Sequence, residues 1–421
     1  MQLYLLYLQI IPTFVPIKSN PIINKTSTAV MKKKTILFAS CLFGVFAFSS
    51  CEKNLYDESK QPEKEIQVKD LDIPAGFQWK LTQVAAGTVA ATTPTMVSFF
   101  LDEACSKEEK IADIPVDTEI SSLPLSIPTY VNTLYAQYKT STNETKKVAI
   151  PVNADRSFSL NIANDAKSKS NTTPSITRGH DIEDDIQLAK GVIFHPKDGW
   201  GTIMFEDQFP SLGDYDFNDF VAWYKYQLQD FFHKGGTWYT YVMQIGFQIR
   251  ALGGINDFSP YINLAGVKYD DIDEIIFQET GDGIEFIKGP NGEAILSYTN
   301  PSKPAGSKYL NTEPEYITTS GVNTSIYIYF KEPVELSRLQ DKMVDIYLAK
   351  PDHGTEIHLK GYKGIYPSSQ NAKYSNEDNY VWGLKAPAAL NHMIEENDFI
   401  KGYPKFKDWI EGKGHKQWWV S

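Results

Sequence analysis

Apolar and polar residues alternate along many short stretches of this chain, a period-two pattern that predicts β-strands. The clearest stretch runs from Tyr239 to Ile249, where the polar residues Thr240, Gln244 and Gln248 separate apolar ones. Such alternation is typical of an antiparallel strand that buries one face. The face predicted to be buried consists of Tyr239, Tyr241, Met243, Ile245, Phe247 and Ile249. Shorter runs of this kind predict strands at Phe220–Leu228, Ile275–Gln278, Ile284–Lys288, Ser325–Phe330 and Val344–Leu348.

The predicted fold class is mostly β. Short β-rich stretches separated by Gly, Pro, Asn and Ser follow one another from Pro74 to Ile162 and predict a small immunoglobulin-like β-sandwich. A larger antiparallel β-sandwich, jelly-roll-like, is predicted after it. Near the end of the chain one short helix is predicted, with Pro404 in its first turn and Gly412 as its stop. Its apolar residues, predicted to pack in the core, are Tyr403, Phe406, Trp409 and Ile410.

Changes in composition divide the chain into five segments. Residues 1–50 contain five lysines and no acid, and they are predicted to combine a misassigned start, with the true start at Met31, and a signal peptide. Residues 51–68 are charged and predicted to be a flexible tether. The small β-sandwich is assigned to 69–163, a polar linker to 164–180 and the larger β-domain to 181–421.

The signal peptide indicates where the protein is located. Three lysines after Met31 precede an apolar run, Thr35 to Phe48, that is shorter than the ~20 residues of a membrane-spanning helix. The sequence FSSC that follows resembles the lipobox of bacterial lipoproteins, in which the cysteine is acylated and becomes the mature N-terminus. This resemblance predicts a lipid on Cys51 and anchoring in the bacterial outer membrane, at its periplasmic face or at the cell surface.

The net charge of the chain limits the kinds of molecule that are expected to bind it. The chain has 41 Lys+Arg and 52 Asp+Glu, a net charge of −11. Nucleic-acid-binding proteins usually carry a basic patch that displaces counterions from phosphate, so we expect no nucleic-acid partner. The expected partners are the membrane, reached through the lipid on Cys51, and a glycan or protein ligand at the cell surface.

The residues that carry the most chemistry lie between Asp198 and Tyr224, a stretch with six acids and no Lys or Arg. Carboxylates ~4 Å apart near a protein surface repel by about 4 kcal/mol per pair, so a divalent cation is the economical means of neutralising them. GDYDFND places acidic and amide oxygens at every second position, a spacing typical of calcium loops. Hard oxygen ligands also favour calcium over zinc or copper. The predicted calcium ligands are Asp214, Asp216, Asn218 and Asp219, with Glu206 and Asp207 completing the shell.

Two alternatives to calcium remain open at this stage. The loop departs from the EF-hand pattern, because Asp219 takes the glycine position and Lys225 the position of the bidentate glutamate. Asp and Asn in a turn also bond their own backbone amides, so the loop could be a purely structural polar turn. A catalytic role for the carboxylates is the third reading.

Three ordered motifs carry a resemblance to a known family. FEDQFPSLGDYDFNDFVAWYKY is similar to the signature of the LruC-domain family of bacterial, Bacteroidetes-type envelope lipoproteins. DIYLAKPDHGTEIHLKGYKG and the pair VWGLKAP and GYPKFKDWIEGKGHKQWW resemble two later motifs of that family. The resemblance spans roughly 192–421 and implies an exported, β-rich protein carrying a domain of unknown function.

Two function hypotheses follow. The first is a lipid-anchored, non-catalytic envelope or surface protein, a binding or adhesion-like module with a calcium-stabilised acidic loop. The second is a carbohydrate-active or other hydrolytic envelope enzyme that uses a carboxylate pair. The chain contains no GxSxG, HExxH, phosphate loop or helix-opening GxGxxG. His353 and His358 flank Glu356, and a structural role is favoured for them over a metal site.

Overall fold

The computed structural model divides the chain into two units, Met1–Glu63 and Lys64–Ser421. The structure describes residues 65–92, 95–116, 120–162, 191–278, 283–298, 309–313, 322–395 and 397–420, all of which belong to the second unit. Cys51, most of the predicted tether and the predicted linker at 164–180 lie outside the described residues. In the described part of the chain, no helix is both long enough and apolar enough to cross a membrane.

The N-terminal part of the second unit is a two-layered β-structure. Its strands are β1 (Thr82–Ala90), β2 (Thr95–Phe100), β3 (Lys110–Val116), β4 (Ile120–Pro128), β5 (Thr133–Lys139), β6 (Thr145–Pro151) and β7 (Ser157–Asn161). One layer is the three-stranded sheet β4-β1-β7, in which β1 and β7 run parallel. The other layer contains β3-β2-β5-β6. The rings of Phe99 on β2 and Phe158 on β7 lie 5.9 Å apart, so the core fills the space between the layers.

The C-terminal part is also built from antiparallel strands. They are β8 (Val192–His195), β9 (Gly201–Phe205), β10 (Phe220–Gln229), β11 (Phe232–Lys234), β12 (Thr237–Ala251), β13 (Ser259–Lys268), β14 (Ile272–Gln278), β15 (Ile284–Lys288), β16 (Glu293–Tyr298), β17 (Val322–Glu335), β18 (Val344–Ala349), β19 (Glu356–Ile357) and β20 (Gly383–Ala386). A five-stranded sheet has the order β15-β16-β13-β18-β19. The ring centres of Phe247 on β12 and Tyr298 on β16 lie 5.0 Å apart, so this sheet packs against the sheet that contains β12.

One sheet of twelve strands runs through both parts. Its main path is β14-β17-β12-β10-β8-β3-β2-β5-β6, with β9, β11 and β20 attached to it. The pairing of Ala112 on β3 with Ile193 on β8 joins the two regions that the sequence assigned to separate domains. The boundaries at 163 and 181 stay a prediction. The predicted fold class, mostly β and sandwich-like, is confirmed.

Strand β12 confirms the predicted alternation over only part of its length. Met243 and the alternate residues after it are buried, as expected, but Tyr239 and Tyr241 are only partly buried. Trp238 and Thr240 are buried instead. The reason is a register shift between Thr240 and Val242 in the pairing with β17, since an extra residue in one strand reverses which side chains face the core.

Two short helices end the chain, α1 (Phe399–Gly402) and α2 (Lys405–Ile410). The predicted helix is α2, which starts directly after Pro404; α1 was not predicted. The aromatic stripe of α2 packs in the core, as predicted. We call the buried group that it joins the C-terminal aromatic cluster, which comprises Phe399, Phe406, Trp409 and Trp418 together with Tyr215, Phe217 and Tyr380.

Candidate metal centre

The acidic loop, residues 214–219, belongs to the connection between strands β9 and β10. Phe205 at the end of β9 pairs with Phe220 at the start of β10. Glu206 follows the first of these residues and Asp219 precedes the second, so the register alone brings the two carboxyl-bearing residues to the same edge of the sheet. The position of the acids in this hairpin therefore follows from strand pairing.

The backbone of the loop sends alternate side chains in opposite directions. Tyr215 and Phe217 have φ values of 59° and 53°, the left-handed region that residues other than glycine seldom adopt. Their aromatic rings are buried in the C-terminal aromatic cluster. Their amide groups donate hydrogen bonds to Glu206, from Phe217 to Oε1 at 2.7 Å and from Tyr215 to Oε2 at 3.3 Å. The buried glutamate thus organises the loop from inside.

Three acids of the segment converge on one point. Oxygen atoms of Glu206, Asp214 and Asp216 all lie within 4.8 Å of one another. Glu206 and Asp216 are buried, whereas Asp214 is exposed and opens the group to solvent. Among the described residues, no Lys, Arg or His side chain forms an ion pair with any of the three. The arrangement brings acidic groups together without a cation from the described residues to offset them.

The electrostatic consequence is a set of carboxyl groups that resist ionisation. Burial, together with the charges of Asp219, Asp216 and Asp214, raises the pKa of Glu206 well above its ordinary value. Burial and the charge of Asp214 raise the pKa of Asp216 to about 8. Burial and the charge of Asp207 raise the pKa of Asp219 to about 8 as well. A bound cation would reverse these shifts, because it favours the charged form of each carboxyl group.

The other three predicted ligands lie beside this group. Asp219 Oδ2 accepts a hydrogen bond of 2.7 Å from the backbone N–H of Asp207. Asp207 is itself held by Asn256, whose backbone N–H donates to Oδ2 at 2.6 Å and whose side-chain Nδ2 donates to Oδ1 at 2.9 Å. Asn218 Nδ2 donates to Asp216 Oδ2 at 2.6 Å. The structure thus places Glu206, Asp214 and Asp216 together and leaves Asp207, Asn218 and Asp219 at the edge of the group.

Asn218 has a further property. Its side chain is fully buried, and its Oδ1 atom has no hydrogen-bond partner among the described residues. An unpaired buried amide oxygen destabilises the folded state by about 1–3 kcal/mol. Because an amide can rotate by 180°, the same side chain can present this oxygen toward Asp216, a contact that is favourable when either a proton on Asp216 or a cation lies between the two oxygens.

Glycines give the acids room. A Cβ atom on Gly213 would lie 2.0 Å from Glu206 Oε2, and one on Gly254 would lie 2.5 Å from Asp207 Oδ2. A Cβ atom on Gly253 would lie 2.4 Å from Asn218 Oδ1. A side chain at any of these positions would displace one of the predicted oxygen ligands.

Sequence reasoning missed one acid near the group. The negative charge of Glu395 contributes to the raised pKa values of both Asp216 and Asp219. Its backbone N–H donates to the carbonyl of Thr312, which fixes this distant segment beside the loop. No local pattern links it to the acidic segment, since it lies far along the chain.

A second group of buried charges surrounds His358. Its Nδ1 lies 2.7 Å from Asp345 Oδ2 and its Nε2 lies 3.2 Å from Glu356 Oε2. Burial lowers the pKa of the imidazole, but the two carboxylates outweigh burial and raise the pKa to about 9. His353 lies apart from this group, in a turn, with its ring stacked 3.9 Å from that of Tyr366. The two histidines therefore do not share a site, and His358 forms an internal ion pair with its carboxylates.

Comparisons with known proteins agree with the fold and leave the activity undefined. A family described as a domain of unknown function, DUF4842, matches residues 241–419. The matched range begins within β12, after the acidic loop, and reaches the C-terminal helices. The resemblance to the LruC-domain family stays a prediction, since the matching family model carries another name. No curated protein matches the chain.

A solved structure supports the architecture. The chain resembles the crystal structure of a Bacteroides ovatus protein that is provisionally designated a lipoprotein. The TM-score is 0.58 at 17% sequence identity, and the alignment covers 78% of this chain and 97% of the other. A likeness at this level of identity establishes a shared fold.

Proposed function

We propose that this chain is a lipid-anchored, non-catalytic envelope protein whose β-structure carries a calcium site at the acidic loop. The observation that carries the proposal is the convergence of Glu206, Asp214 and Asp216, with oxygen atoms within 4.8 Å of one another and no basic partner among the described residues. Calcium takes six to eight oxygen ligands at about 2.3–2.6 Å, and carboxylate and amide oxygens suit it. The three carboxylates form the centre of the proposed shell.

The energetic argument for an ion rests on charge. Two like charges ~4 Å apart near a protein surface repel by about 4 kcal/mol. Because the pKa values of Asp216 and Asp219 are raised to about 8, these two acids keep their protons near neutral pH in the ion-free loop. A divalent cation that binds there replaces these protons and turns repulsion between carboxylates into shared coordination.

The remaining ligands would come from the edge of the group. Asn218 supplies its unpaired Oδ1 after rotation of the amide, and Glu395 adds negative charge from a separate segment. Asp207 and Asp219 keep the loop in place through the contacts with Asn256 and with each other. Solvent fills the positions on the side of the exposed Asp214.

Anchoring in the envelope is supported by two independent features. The sequence before Cys51 has the order of a lipoprotein signal, with cationic, apolar and small residues in turn. The solved structure with the same fold belongs to a protein provisionally designated a lipoprotein. Together they favour a tethered protein that presents its β-structure away from the membrane, with a glycan or protein as its expected ligand.

Calorimetric titration with calcium of the soluble chain, lacking residues 1–51, tests the site. We expect one binding event and a higher melting temperature, because a ligand present at 100 times its Kd stabilises the folded state by about 2.7 kcal/mol. Asp214→Asn removes the negative charge of one proposed ligand and Gly213→Ala pushes a methyl group toward Glu206; both should weaken binding at least tenfold.

Matched controls separate loss of the site from general damage. Gly76→Ala adds a methyl group where no atom lies within 4 Å, and Glu274→Gln neutralises an exposed acid on β14. Both should bind calcium as the unaltered chain does. Absence of heat with the unaltered chain, together with a melting temperature that is the same in calcium and in chelator, would refute the calcium site.

A further inference from the structure

The first described residues of the chain form a strap, residues 65–81, that precedes strand β1. The strap contains one short 3₁₀ turn, Val68–Asp70, and no β-strand. Five of its apolar side chains are nevertheless almost fully buried, those of Val68, Leu71, Ile73, Trp79 and Leu81. The strap is therefore attached to the body of the protein by side-chain packing and individual hydrogen bonds, without a ladder of backbone pairing.

These hydrogen bonds come from residues near the C-terminus. The hydroxyl group of Tyr380 donates to the backbone carbonyls of both Lys69 and Leu71, at 2.9 and 2.7 Å. The backbone N–H of Val68 donates to Asp398 Oδ2 at 2.8 Å. Trp79 packs at the same place, with its indole 5.8 Å from that of Trp409. Tyr380 and Asp398 thus hold the first part of the strap, together with Lys401, whose Nζ lies 3.4 Å from Glu65 Oε2, and Asn379, whose Nδ2 donates to the carbonyl of Pro74 at 2.9 Å.

Tyr380 and Phe399, the residue after Asp398, also contact the acidic loop. The ring of Tyr215 lies 5.4 Å from the ring of Tyr380. The carbonyl of Tyr215 accepts a hydrogen bond of 3.1 Å from the backbone N–H of Phe399, the residue next to Asp398. The ring of Phe217 lies 5.3 Å from that of Phe399. One layer of aromatic residues therefore separates the carboxylates of the loop from the strap.

We propose that cation binding at the acidic loop and docking of the strap are coupled, so that the ion tightens the segment through which the β-structure is joined to its predicted lipid tether. This inference rests on the calcium site proposed above. Asp214 and Asp216 alternate with Tyr215 and Phe217 in the loop, so a cation that fixes the two acids also fixes the positions of the two aromatic residues between and after them. Those residues contact Tyr380 and Phe399.

Coupling of this kind is reciprocal. If calcium favours the docked strap by some factor, a variant that populates the undocked strap must lose calcium affinity, by at most that factor. Segments held by few hydrogen bonds open more readily than the sheet, so the strap is the part of the structure in which an effect of the ion would be most visible.

Hydrogen exchange measured by mass spectrometry, with calcium and with chelator, tests the coupling. We expect peptides from 65–81 to exchange about three- to tenfold more slowly with calcium, while peptides from the β5–β6 hairpin, 133–151, change little. An equal change in both regions would mean that calcium only raises the global stability, and it would overturn the coupling.

The reciprocal arm uses Tyr380→Phe, which removes the hydroxyl that holds the strap and keeps the ring against Tyr215. The matched control is Tyr403→Phe, which removes a hydroxyl bonded to the carbonyl of Asn391, outside the strap. Calorimetry should show calcium affinity about three- to tenfold weaker for Tyr380→Phe and unchanged for Tyr403→Phe. Calcium binding with unchanged exchange in the strap and equal affinities for both variants would overturn the coupling alone, whereas no binding by the unaltered chain would overturn the calcium site as well.

Discussion

Replacement of Asp216 by asparagine separates the charge of this residue from its shape, because the two side chains are nearly isosteric. In the ion-free protein, burial beside Asp214 raises the pKa of Asp216 from 3.8 to about 8. A carboxyl group with a raised pKa in the folded state stabilises folding fully only below the pKa of the unfolded state. That contribution is lost as the pH rises from about 4 to about 8. The neutral variant should therefore be the more stable protein in chelator at neutral pH.

The size of the effect follows from the shift. One pKa unit corresponds to ~1.4 kcal/mol, so at pH 7 an isolated group with this shift would destabilise the fold by about 4 kcal/mol. Asp216 titrates together with Glu206 and Asp219, so the effect of removing its charge is divided among the three groups. We expect Asp216→Asn to raise the free energy of unfolding by roughly 2 kcal/mol in chelator. The new amide can donate to Asn218 Oδ1 once the Asn218 amide rotates.

Urea unfolding of both proteins at several pH values, in chelator and in calcium, measures this directly. In chelator the difference between them should be close to zero at pH 4 and should reach its plateau near pH 8. In calcium the order should reverse, because the unaltered protein keeps the ligand charge and gains the ion's stabilisation. A variant that is less stable in chelator at pH 7, or a difference that does not change with pH, would show that the hydrogen bonds of Asp216 to Asn218 outweigh its charge.

Two further predictions concern the buried ion pairs of the β-structure. Burial alone would raise the pKa of Asp341, but Lys385, whose Nζ lies 2.8 Å from Asp341 Oδ1, is the main cause that holds this pKa at about 2. Lys385→Met should therefore lower the free energy of unfolding by about 3–5 kcal/mol, measured with urea at pH 7. A loss below ~1 kcal/mol would contradict this prediction. The pKa of His358, about 9, means that its contribution is present below pH 6.5 and lost as the pH rises to about 9, an effect of about 3 kcal/mol. In His358→Gln the stability difference between pH 6 and pH 9 should shrink by that amount, and an unchanged profile would refute the ion pair with Asp345 and Glu356.

The fold was predictable to the extent that strands alternate regularly. The run at 220–228 corresponds to β10, which keeps one face in the core over its whole length. The runs at 284–288 and 344–348 also correspond to strands, although β15 is at most partly buried and β18 is buried on both faces. On β12, the same reasoning assigned Tyr239 and Tyr241 to the wrong face. A bulge depends on the pairing with β17, and the sequence of β12 alone contains no sign of it.

The candidate site was predictable where its residues are neighbours in the chain. Glu206 and the acids of the loop fall within one hairpin, so the pairing of β9 with β10 brings them together. Asn256 and Glu395 come from other connections. They reach the acids only through the packing of the complete structure, and their residue types alone do not distinguish them from the many other polar residues on loops.

The alternation of acids and aromatic residues in GDYDFND has two uses in the structure. In a flat strand it would place the acids on one face and the rings on the other, and the loop keeps this separation by giving Tyr215 and Phe217 a left-handed backbone. The rings are buried in the C-terminal aromatic cluster, and burial of each contributes about 2–3 kcal/mol. Part of that gain offsets the repulsion between the acids, so the aromatic residues hold the carboxylates at short distances before any ion is present. A loop of acids without the rings would relax into solvent, so the proposed cation site depends on the aromatic residues as much as on the acids.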